Sequence, residues 1–334
     1  MRSVRRTVTA ALVLAAAASA VAAASAQEKK VIEVIVFPGG FNWPIWAAQK
    51  NGYFAAAGIE VNLTPTPSSE FQLQNTYGGK FHIAMTAIDN VVAYQEDQGP
   101  VKIENPDLVA VMGGDNGFLH LVTVPEIKIF EQLKGKKLSV DALSTGYAFV
   151  LRDLLERRGI KEGDVEFVKA GGVLQRWQAL EKKEHDGTML ITPFDITAKA
   201  MGFNVLAYAA PTYGHYQGLV AAVTRRWAKD HEAEIVGYIR AYLQSMIWLY
   251  DRKNKAAAIA ILREKLPQMN QGAASASYDA LFAAKGGLFK DGKFDMEGIR
   301  VVLALRSKYG EPQKKLANPA KYVDTSYLKK AMKP

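Results

Sequence analysis

Hydrophobic and polar residues along the chain follow two alternating periods. Short apolar runs, such as 31–37, have the composition of β-strands, and segments with helical spacing follow them, as at 42–58, 145–158 and 173–184. From about Arg226 onward only the helical spacing continues. Alternating strands and helices are typical of mostly parallel sheets with helices on both faces. We therefore expect an α/β protein with two lobes, a cleft between them and a helical C-terminal tail.

The first 26 residues differ from the rest of the chain. Three arginines within the first six residues precede an apolar, alanine-rich run, and the small residues ASA at 24–26 precede Gln27. This is the pattern of a secretory signal peptide that is cleaved near Ala26. We therefore expect a mature chain that begins near Gln27 and is exported to the periplasm.

The composition limits the chemistry that the chain can carry. It contains no cysteine, which excludes disulfides, thiolate metal sites and cysteine nucleophiles. The formal net charge is +9, and the three arginines of the expected signal peptide account for three of these charges. The remaining basic residues are interspersed with acidic ones, as on a solvated surface. We therefore expect no nucleic-acid partner.

Catalytic and cofactor motifs are missing from the sequence. There is no G-x-S-x-G nucleophile motif and no G-x-G-x-x-G dinucleotide motif. The five histidines are scattered, and no pair of them has the spacing of metal ligands. We expect no catalytic residue, no metal and no cofactor.

The candidate ligand-binding residues lie in loops that follow predicted strands. In open parallel sheets, ligands bind at the carboxyl ends of strands, beside helix N-termini. A helix cap or a core position is the alternative role for each candidate, and Asp89 in particular could cap its own helix. The candidates are Phe41, Asn42, Trp43, Ser69, Asp89, Asn90, Asp115, Asn116, Ser144, Thr145, Gly146, Tyr147, Phe194, Asp195 and Tyr213.

The turn at 143–147, LSTGY, precedes a helix whose first turn carries no acidic residue. Its backbone N–H groups could bind an anionic group, because a helix N-terminus favours negative charge. Ser144 or Thr145 could equally cap the helix. The sequence leaves both possibilities open.

The candidate loops favour a planar or apolar ligand, because aromatic side chains such as Phe41 and Tyr147 could stack on it. Carboxylates in the same loops could accept hydrogen bonds from an amino group or a ring N–H. No arginine lies at a predicted strand end, which counts against nitrate or a dianion held by a bidentate clamp. We expect a nitrogen-containing, pyrimidine-like aromatic ligand, with an organic sulfonate such as taurine, or an aromatic carboxylate, as the alternative.

Several segments resemble the periplasmic substrate-binding proteins of ABC importers. They include AQKNGYFAAAGIEV at 48–61, GGKFHIAMTA at 78–87 and QRWQALEKKEHDGTMLITPF at 175–194. More narrowly, the chain resembles the group that covers nitrate, taurine and aliphatic sulfonates, and thiamine-precursor pyrimidines, although His82 stands where that group usually has an aspartate. The resemblance spans nearly the whole mature chain and weakens after Lys265.

This resemblance implies a type II periplasmic-binding-protein fold and a function in transport. The expected divisions are a signal peptide at 1–26, a first lobe at 27–122 and 221–334, and an inserted second lobe at 123–220. Two crossing strands, near 120–125 and 217–223, would let the lobes close on a small-molecule ligand. The implied partners of this monomer are an inner-membrane permease and its ATPase.

Two other functions are considered beside transport. Pyrimidine synthases share this fold, but they rely on a cysteine-rich motif, a histidine and a pyridoxal-bound lysine, and this chain has no cysteine. A periplasmic sensor partner, which presents its ligand to a membrane receptor, would also close around a ligand. The sequence does not separate that role from transport.

Overall fold

A computed structural model describes residues 29–283 and 287–333. The expected signal peptide at 1–26 lies outside these residues. The strands are β1 Lys30–Val36, β2 Ile59–Pro65, β3 Ile83–Ala87, β4 Leu108–Gly113, β5 Leu119–Thr123, β6 Lys137–Val140, β7 Glu166–Lys169, β8 Gly187–Ile191, β9 Asn204–Tyr208 and β10 Leu219–Thr224.

The α-helices flank the strands and form the C-terminal part of the described chain. They are α1 Trp43–Lys50, α2 Tyr53–Ala56, α3 Ser69–Tyr77, α4 Ile88–Gln95, α5 Gly146–Glu156, α6 Val173–Glu181, α7 Phe194–Ala200, α8 Ala209–Tyr213, α9 Arg225–Ala228, α10 Glu232–Tyr250, α11 Lys255–Lys265, α12 Gln271–Leu281, α13 Met296–Tyr309 and α14 Ser326–Ala331. None of these helices combines the length and apolar character that crossing a bilayer requires.

The strands form two sheets of five strands each. The first sheet has the order β2-β1-β3-β10-β4 and the second has the order β7-β6-β8-β5-β9. In the first sheet β1 is parallel to β2 and β3, while β10 is antiparallel to β3 and β4. In the second sheet β6 is parallel to β7 and β8, while β5 is antiparallel to β8 and β9. The predicted α/β class and helical tail are confirmed, and both sheets are mixed because each contains one reversed strand.

Two segments carry the chain between the sheets. Residues 114–118 connect β4 to β5, and residues 214–218 connect α8 to β10. The segments lie side by side, since Gly114 N donates to Leu219 O at 2.8 Å and Gly218 N donates to Asp115 O at 3.0 Å. We call these the crossing segments, the first sheet with its helices the first lobe, and the second sheet with its helices the second lobe.

The crossing segments lie slightly before the predicted crossing strands. The predicted boundary between residues 122 and 123 passes through β5, and all five residues of that strand pair with β8 in the second sheet. The predicted end of the second lobe at 220 likewise falls inside β10, which belongs to the first sheet. Both predicted boundaries fall inside strands because β5 and β10 each join their sheet directly after the chain crosses between the lobes.

Local sequence explains where the helices begin and end. The predicted helix at 42–58 is two helices, α1 and α2, because Gly52 between them adopts φ 74, a left-handed conformation that favours glycine. Helix α3 begins where Ser68 Oγ accepts a hydrogen bond from Phe71 N at 3.2 Å. The predicted helices at 145–158 and 173–184 are observed as α5 and α6.

Helix α13 of the C-terminal part lies against both lobes. It packs against α4 of the first lobe and against α5 of the second lobe. Its inward side buries Ile299, Val302, Leu303 and Arg306, and three of these four side chains are apolar. The helix therefore places the charged side chain of Arg306 at the boundary between the lobes.

Candidate ligand-binding cleft

A cavity lies between the two lobes, and both lobes contribute to its walls. It contains about 520 Å³ of space, part of which is open to solvent. Its apolar walls are Phe37, Phe41, Tyr147, Val173, Ile191 and Leu219. Its polar walls are Thr86, Asp89, Asn90, Asp141, Thr145 and Arg176. Apolar walls with a few polar groups among them are typical of small-molecule sites.

The cavity lies at the carboxyl ends of one strand from each sheet. Strand β3 ends at Ala87, which lines the cavity, and Asp89 follows it within the first turn of α4. Strand β6 ends at Val140, and Asp141 follows directly. The position is the one expected for a ligand site in an open α/β sheet.

The N-terminus of α5 is bonded to the opposite lobe. Gly146 N donates to Asp89 Oδ2 at 2.6 Å. Neither alternative for a local cap applies, because Thr145 Oγ1 donates to Ala142 O at 2.8 Å and the helix has no side-chain cap. Asp89 does not cap its own helix either, since α4 has no side-chain cap. The first free N–H of α5 is therefore paired across the cleft.

Arg306 of α13 holds the other side of the same carboxylate. Its Nε donates to Asp89 Oδ1 at 2.6 Å, and its Nη2 donates to Asp89 Oδ2 at 3.2 Å. Nη2 also donates to Ser144 O of the second lobe at 2.6 Å, and Nη1 donates to Gln98 Oε1 at 3.2 Å. The exposed fraction of the two ionised side chains is 0 % for Arg306 and 2 % for Asp89. We call this pair the Asp89–Arg306 bridge.

Arg306 was not among the residues predicted from the sequence. It lies 217 residues from Asp89 along the chain, inside a helix with no motif around it. The rule that ligands bind at strand ends does not identify Arg306, because the packing of a helix brings this side chain to the cleft. One sequence signal for Arg306 exists. This residue occupies a position of the apolar spacing of α13, and a lone arginine among buried residues requires a partner.

A second buried arginine, Arg176, lies on the cavity wall contributed by the second lobe. Its Nη1 donates to Gly171 O at 2.9 Å and its Nη2 donates to Met189 O at 3.1 Å. Burial lowers the pKa of Arg176, and the charge of Asp141 opposes that effect. Since Arg176 lies inside α6 and not at a strand end, the strand-end reasoning also missed this residue.

Two buried polar atoms of wall residues have no hydrogen-bond partner in the described part of the chain. They are Nε of Arg176, a donor, and Oδ1 of Asp141, an acceptor. The other oxygen of Asp141 accepts from Ser69 N of the first lobe at 2.9 Å. Buried polar groups are normally paired, so these two atoms are candidates for contact with a ligand.

Six of the predicted ligand-binding residues line the cavity. They are Phe41, Asp89, Asn90, Thr145, Gly146 and Tyr147. Ser69 and Ser144 take part through their backbone, as donor to Asp141 and acceptor from Arg306. Asn42 lies behind the wall, where its Nδ2 donates to Phe37 O at 2.6 Å.

Trp43 lies in the core of the first lobe and does not line the cavity. Its indole packs edge-on against Tyr278 and Phe282, with ring centroids 5.9 and 5.3 Å apart. Its Nε1 donates to Ala258 O at 3.0 Å, which satisfies the only polar atom of the side chain. The first turn of α1 points this residue toward the C-terminal helices, whereas Phe41 points toward the cleft.

The other five candidates also lie away from the cavity. Asp195 Oδ2 is 2.6 Å from His120 Nδ1, and Tyr213 OH donates to Asp153 Oδ2 at 2.9 Å. Phe194 is buried, and Asn116 lines a separate hollow beside His120. Asp115, the fifth, lies in a crossing segment. These residues follow strands as predicted, but they lie outside the cavity that the two lobes form.

The family follows from a comparison of the whole chain with models of known families. The model described as NMT1/THI5 like matches residues 42–256, which is more than half of the chain and includes most of the cavity wall. This chain belongs to the NMT1/THI5-like family. No sequence among the curated proteins matched it.

Solved structures share the fold of this NMT1/THI5-like chain. The periplasmic nitrate-binding protein NrtA from Synechocystis PCC 6803 is 11% identical, with a TM-score of 0.75 over 91% of this chain and 88% of that one. The alkanesulfonate-binding protein SsuA from Xanthomonas axonopodis pv. citri, bound to MOPS, is 13% identical, with a TM-score of 0.72 over 90% and 100%. The predicted periplasmic-binding-protein fold is confirmed.

An enzyme has the same fold. The desulfurization enzyme DSZB is 13% identical to this chain, with a TM-score of 0.63 over 91% of this chain and 99% of that one. Since identities this low establish only the fold, function has to be argued from the cavity of the NMT1/THI5-like chain itself.

Asp115 ties the two crossing segments of the NMT1/THI5-like chain together. Its Oδ1 accepts from Gly117 N at 2.7 Å and from Leu219 N at 3.1 Å. Burial raises the pKa of this carboxyl from 3.8 to about 6, although the two N–H donors act in the opposite direction. The side chain therefore has a structural role between the lobes and no contact with the cavity.

The raised pKa of Asp115 predicts a pH-dependent contribution to stability. The unfolded chain releases the proton near pH 4, whereas the native protein retains it to about pH 6. This contribution is therefore complete below pH 4 and is lost as the pH rises through 6, an effect of about 2–3 kcal/mol. In urea unfolding between pH 4 and 7, the free energy of unfolding of the wild type should fall relative to that of Asp115→Asn. A difference between the two proteins that does not change with pH would contradict this assignment.

Proposed function

We propose that this protein is the solute-binding component of an ABC import system. The observation that carries the proposal is a cavity with walls from both lobes, beside two adjacent crossing segments. Rotation about such segments would open and close the cleft around a ligand. In this proposal the protein acts in the periplasm as a monomer and delivers its ligand to a membrane permease and its ATPase.

The proposed ligand is a small, planar, nitrogen-containing aromatic molecule of pyrimidine type. Phe37, Phe41 and Tyr147 provide aromatic surfaces for stacking. The unpartnered Oδ1 of Asp141 would accept a hydrogen bond from an amino group or a ring N–H. Asn90 offers an amide on the wall of the first lobe, with its Nδ2 bonded to Thr86 Oγ1 at 2.8 Å.

An organic sulfonate or an aromatic carboxylate is the second candidate. The observation that favours it is the buried guanidinium of Arg176 on the cavity wall, whose Nε has no partner. Two proteins of the same fold carry the names nitrate-binding and alkanesulfonate-binding. A panel that contains both ligand classes therefore separates the two candidates.

We propose binding without catalysis. The hydroxyl groups of Thr86 and Thr145 on the wall are already bonded, to Asn90 and to Ala142 O, and neither contacts a base. The close pair His120 and Asp195 lies outside the cavity. A nucleophile would need a base within hydrogen-bond reach, and these wall residues do not provide that arrangement.

Thermal-shift measurements with a ligand panel test the proposed function. The panel contains aminopyrimidines, taurine and alkanesulfonates, nitrate, and aromatic carboxylates, and the protein is first unfolded and refolded to remove any carried ligand. A ligand at about 100 times its Kd stabilises the native state by roughly 2.7 kcal/mol. A shift with one class identifies the ligand chemistry, while no shift with any class contradicts the ligand assignment. Loss of uptake in a deletion strain would distinguish transport from a sensing role.

Replacing the aromatic walls should weaken binding of the ligand that the panel identifies. Phe41→Ala and Tyr147→Ala should each cost about 1–3 kcal/mol, because each removes a stacking surface within the cavity. Isothermal titration calorimetry measures the change. Tyr208→Ala is the matched control, since Tyr208 is an exposed aromatic residue outside this cavity. If the two wall variants bind the ligand as tightly as the control does, Phe41 and Tyr147 do not belong to the site.

A further inference from the structure

The N-terminus of α5 and the guanidinium of Arg306 together form a site for an anion. Helix α5 has 11 residues, no acidic residue in its first turn and no side-chain cap. A helix N-terminus attracts negative charge, and a planar guanidinium matches a carboxylate or sulfonate. Both donors face the same point, because both bond to the carboxylate of Asp89.

The protein's own carboxylate fills this position completely. Asp89 accepts one hydrogen bond from Gly146 N and two from Arg306. A Cβ atom built on Gly146 would lie 2.3 Å from Asp89 Cγ, so the contact depends on the lack of a side chain at this residue. The carboxylate therefore leaves no room for a second anion at the same donors.

The rest of the wall is balanced in charge. Asp141 and Arg176 contribute one negative and one positive charge, and the Asp89–Arg306 bridge contributes another such pair. Because these four charges sum to zero, a ligand with a net charge would bring an uncompensated charge into a largely apolar cavity, which is unfavourable. Of the two unpartnered atoms, Asp141 Oδ1 suits an N–H donor, and Arg176 Nε suits an uncharged acceptor such as a ring nitrogen or a carbonyl oxygen.

We propose that Asp89 occupies the position that an anionic ligand group would take, so that the protein selects an uncharged ligand with an N–H donor. This inference rests on the proposed solute-binding function and narrows its ligand class. It separates the pyrimidine-type candidate from the sulfonate and carboxylate candidates. It also gives the bridge a function in specificity in addition to its contacts between the lobes.

Chemical rescue tests the role of Asp89 without knowledge of the ligand. Asp89→Gly removes the carboxylate and leaves Gly146 N and Arg306 without an anion. Acetate or methanesulfonate should then raise the melting temperature by about 2–4 °C in a saturable manner, relative to sodium chloride at equal ionic strength. The wild type should show no such rise, and neither should the double variant Asp89→Gly/Arg306→Met, which lacks the guanidinium.

Three results of the rescue experiment would overturn the inference. They are an equal rise in the wild type, no rise in Asp89→Gly, and an equal rise in the double variant. If Asp89→Gly does not fold, Asp89→Ser serves in its place, because the serine hydroxyl still accepts from Gly146 N while leaving space for formate. The same three results are then decisive with formate as the probe.

Matched acid and amide pairs test the ligand class in the wild type. Benzamide and benzoate have nearly the same shape and differ in charge and in the N–H donor, as do nicotinamide and nicotinate. Preference for the amides supports the inference, and preference for the acids overturns it while leaving the solute-binding function intact. If neither class binds and the wider panel also fails, the proposed function loses its support, while the rescue result still decides the role of Asp89.

Discussion

Replacing Arg306 with methionine should lower the free energy of unfolding by about 3–5 kcal/mol, because it leaves a buried carboxylate without its counter-ion. Arg306 is completely buried and donates two hydrogen bonds to Asp89. It also donates to Ser144 O, so the variant loses a direct contact between the lobes. Methionine fills similar space and adds no charge, which makes the missing charge the main difference.

Urea unfolding of three variants measures this effect. The double variant Asp89→Asn/Arg306→Met should recover much of the loss, because neither buried charge remains without its partner. Arg300→Met is the matched control on the same helix, since Arg300 is half exposed and pairs with Glu297 at the surface. That control should cost less than about 1 kcal/mol. Equal losses for Arg306→Met and Arg300→Met would show that the bridge does not stabilise the protein.

Replacing Gly146 with alanine should weaken ligand binding about 100-fold while leaving the second lobe folded. The added Cβ would lie 2.3 Å from Asp89 Cγ and 2.6 Å from Asp89 Cβ, so the two lobes could not approach as closely as they do here. If the closed state falls to about 1% of the population, the apparent Kd rises about 100-fold. Alanine is otherwise the better helix former, so α5 itself should not be weakened.

Calorimetry and small-angle X-ray scattering check this prediction together. The expected result is a higher Kd and a larger radius of gyration with ligand present than in the wild type. Gly163→Ala in the same lobe is the matched control, because a Cβ at that residue meets no atom within 4 Å. Unchanged affinity in Gly146→Ala would show that ligand binding does not require contact between Asp89 and α5.

The order of strands and helices could be predicted because it depends on local patterns. Apolar runs with a period of two residues, as in β1, and helical spacing, as in α5 and α6, are visible in short windows of sequence. The single helix predicted at 42–58 is divided, because Gly52 takes a left-handed conformation that the spacing of apolar residues does not reveal. The reversed strands β5 and β10 were not foreseen either, since strand direction depends on the path between the lobes.

Part of the cavity could also be predicted, through the rule that ligands bind at the carboxyl ends of strands. Phe41, Asp89, Asn90 and the turn that ends at Tyr147 were found in this way. The rule failed for Trp43 and Tyr213, because it gives the position of a residue in the chain and not the direction of its side chain. Packing against the C-terminal helices turns Trp43 into the core.

The sequence by itself determined the fold class, the two lobes, the resemblance to its family and six of the fourteen residues of the cavity wall. Only the tertiary structure showed that Asp89 bonds to Gly146 of the other lobe and to Arg306, and that Arg176 lies beside the cavity. The physical reason is distance along the chain. Strands and helices follow from neighbouring residues, whereas the charge of this cleft depends on side chains up to 217 residues apart, which only the packing of the lobes and of α13 brings together.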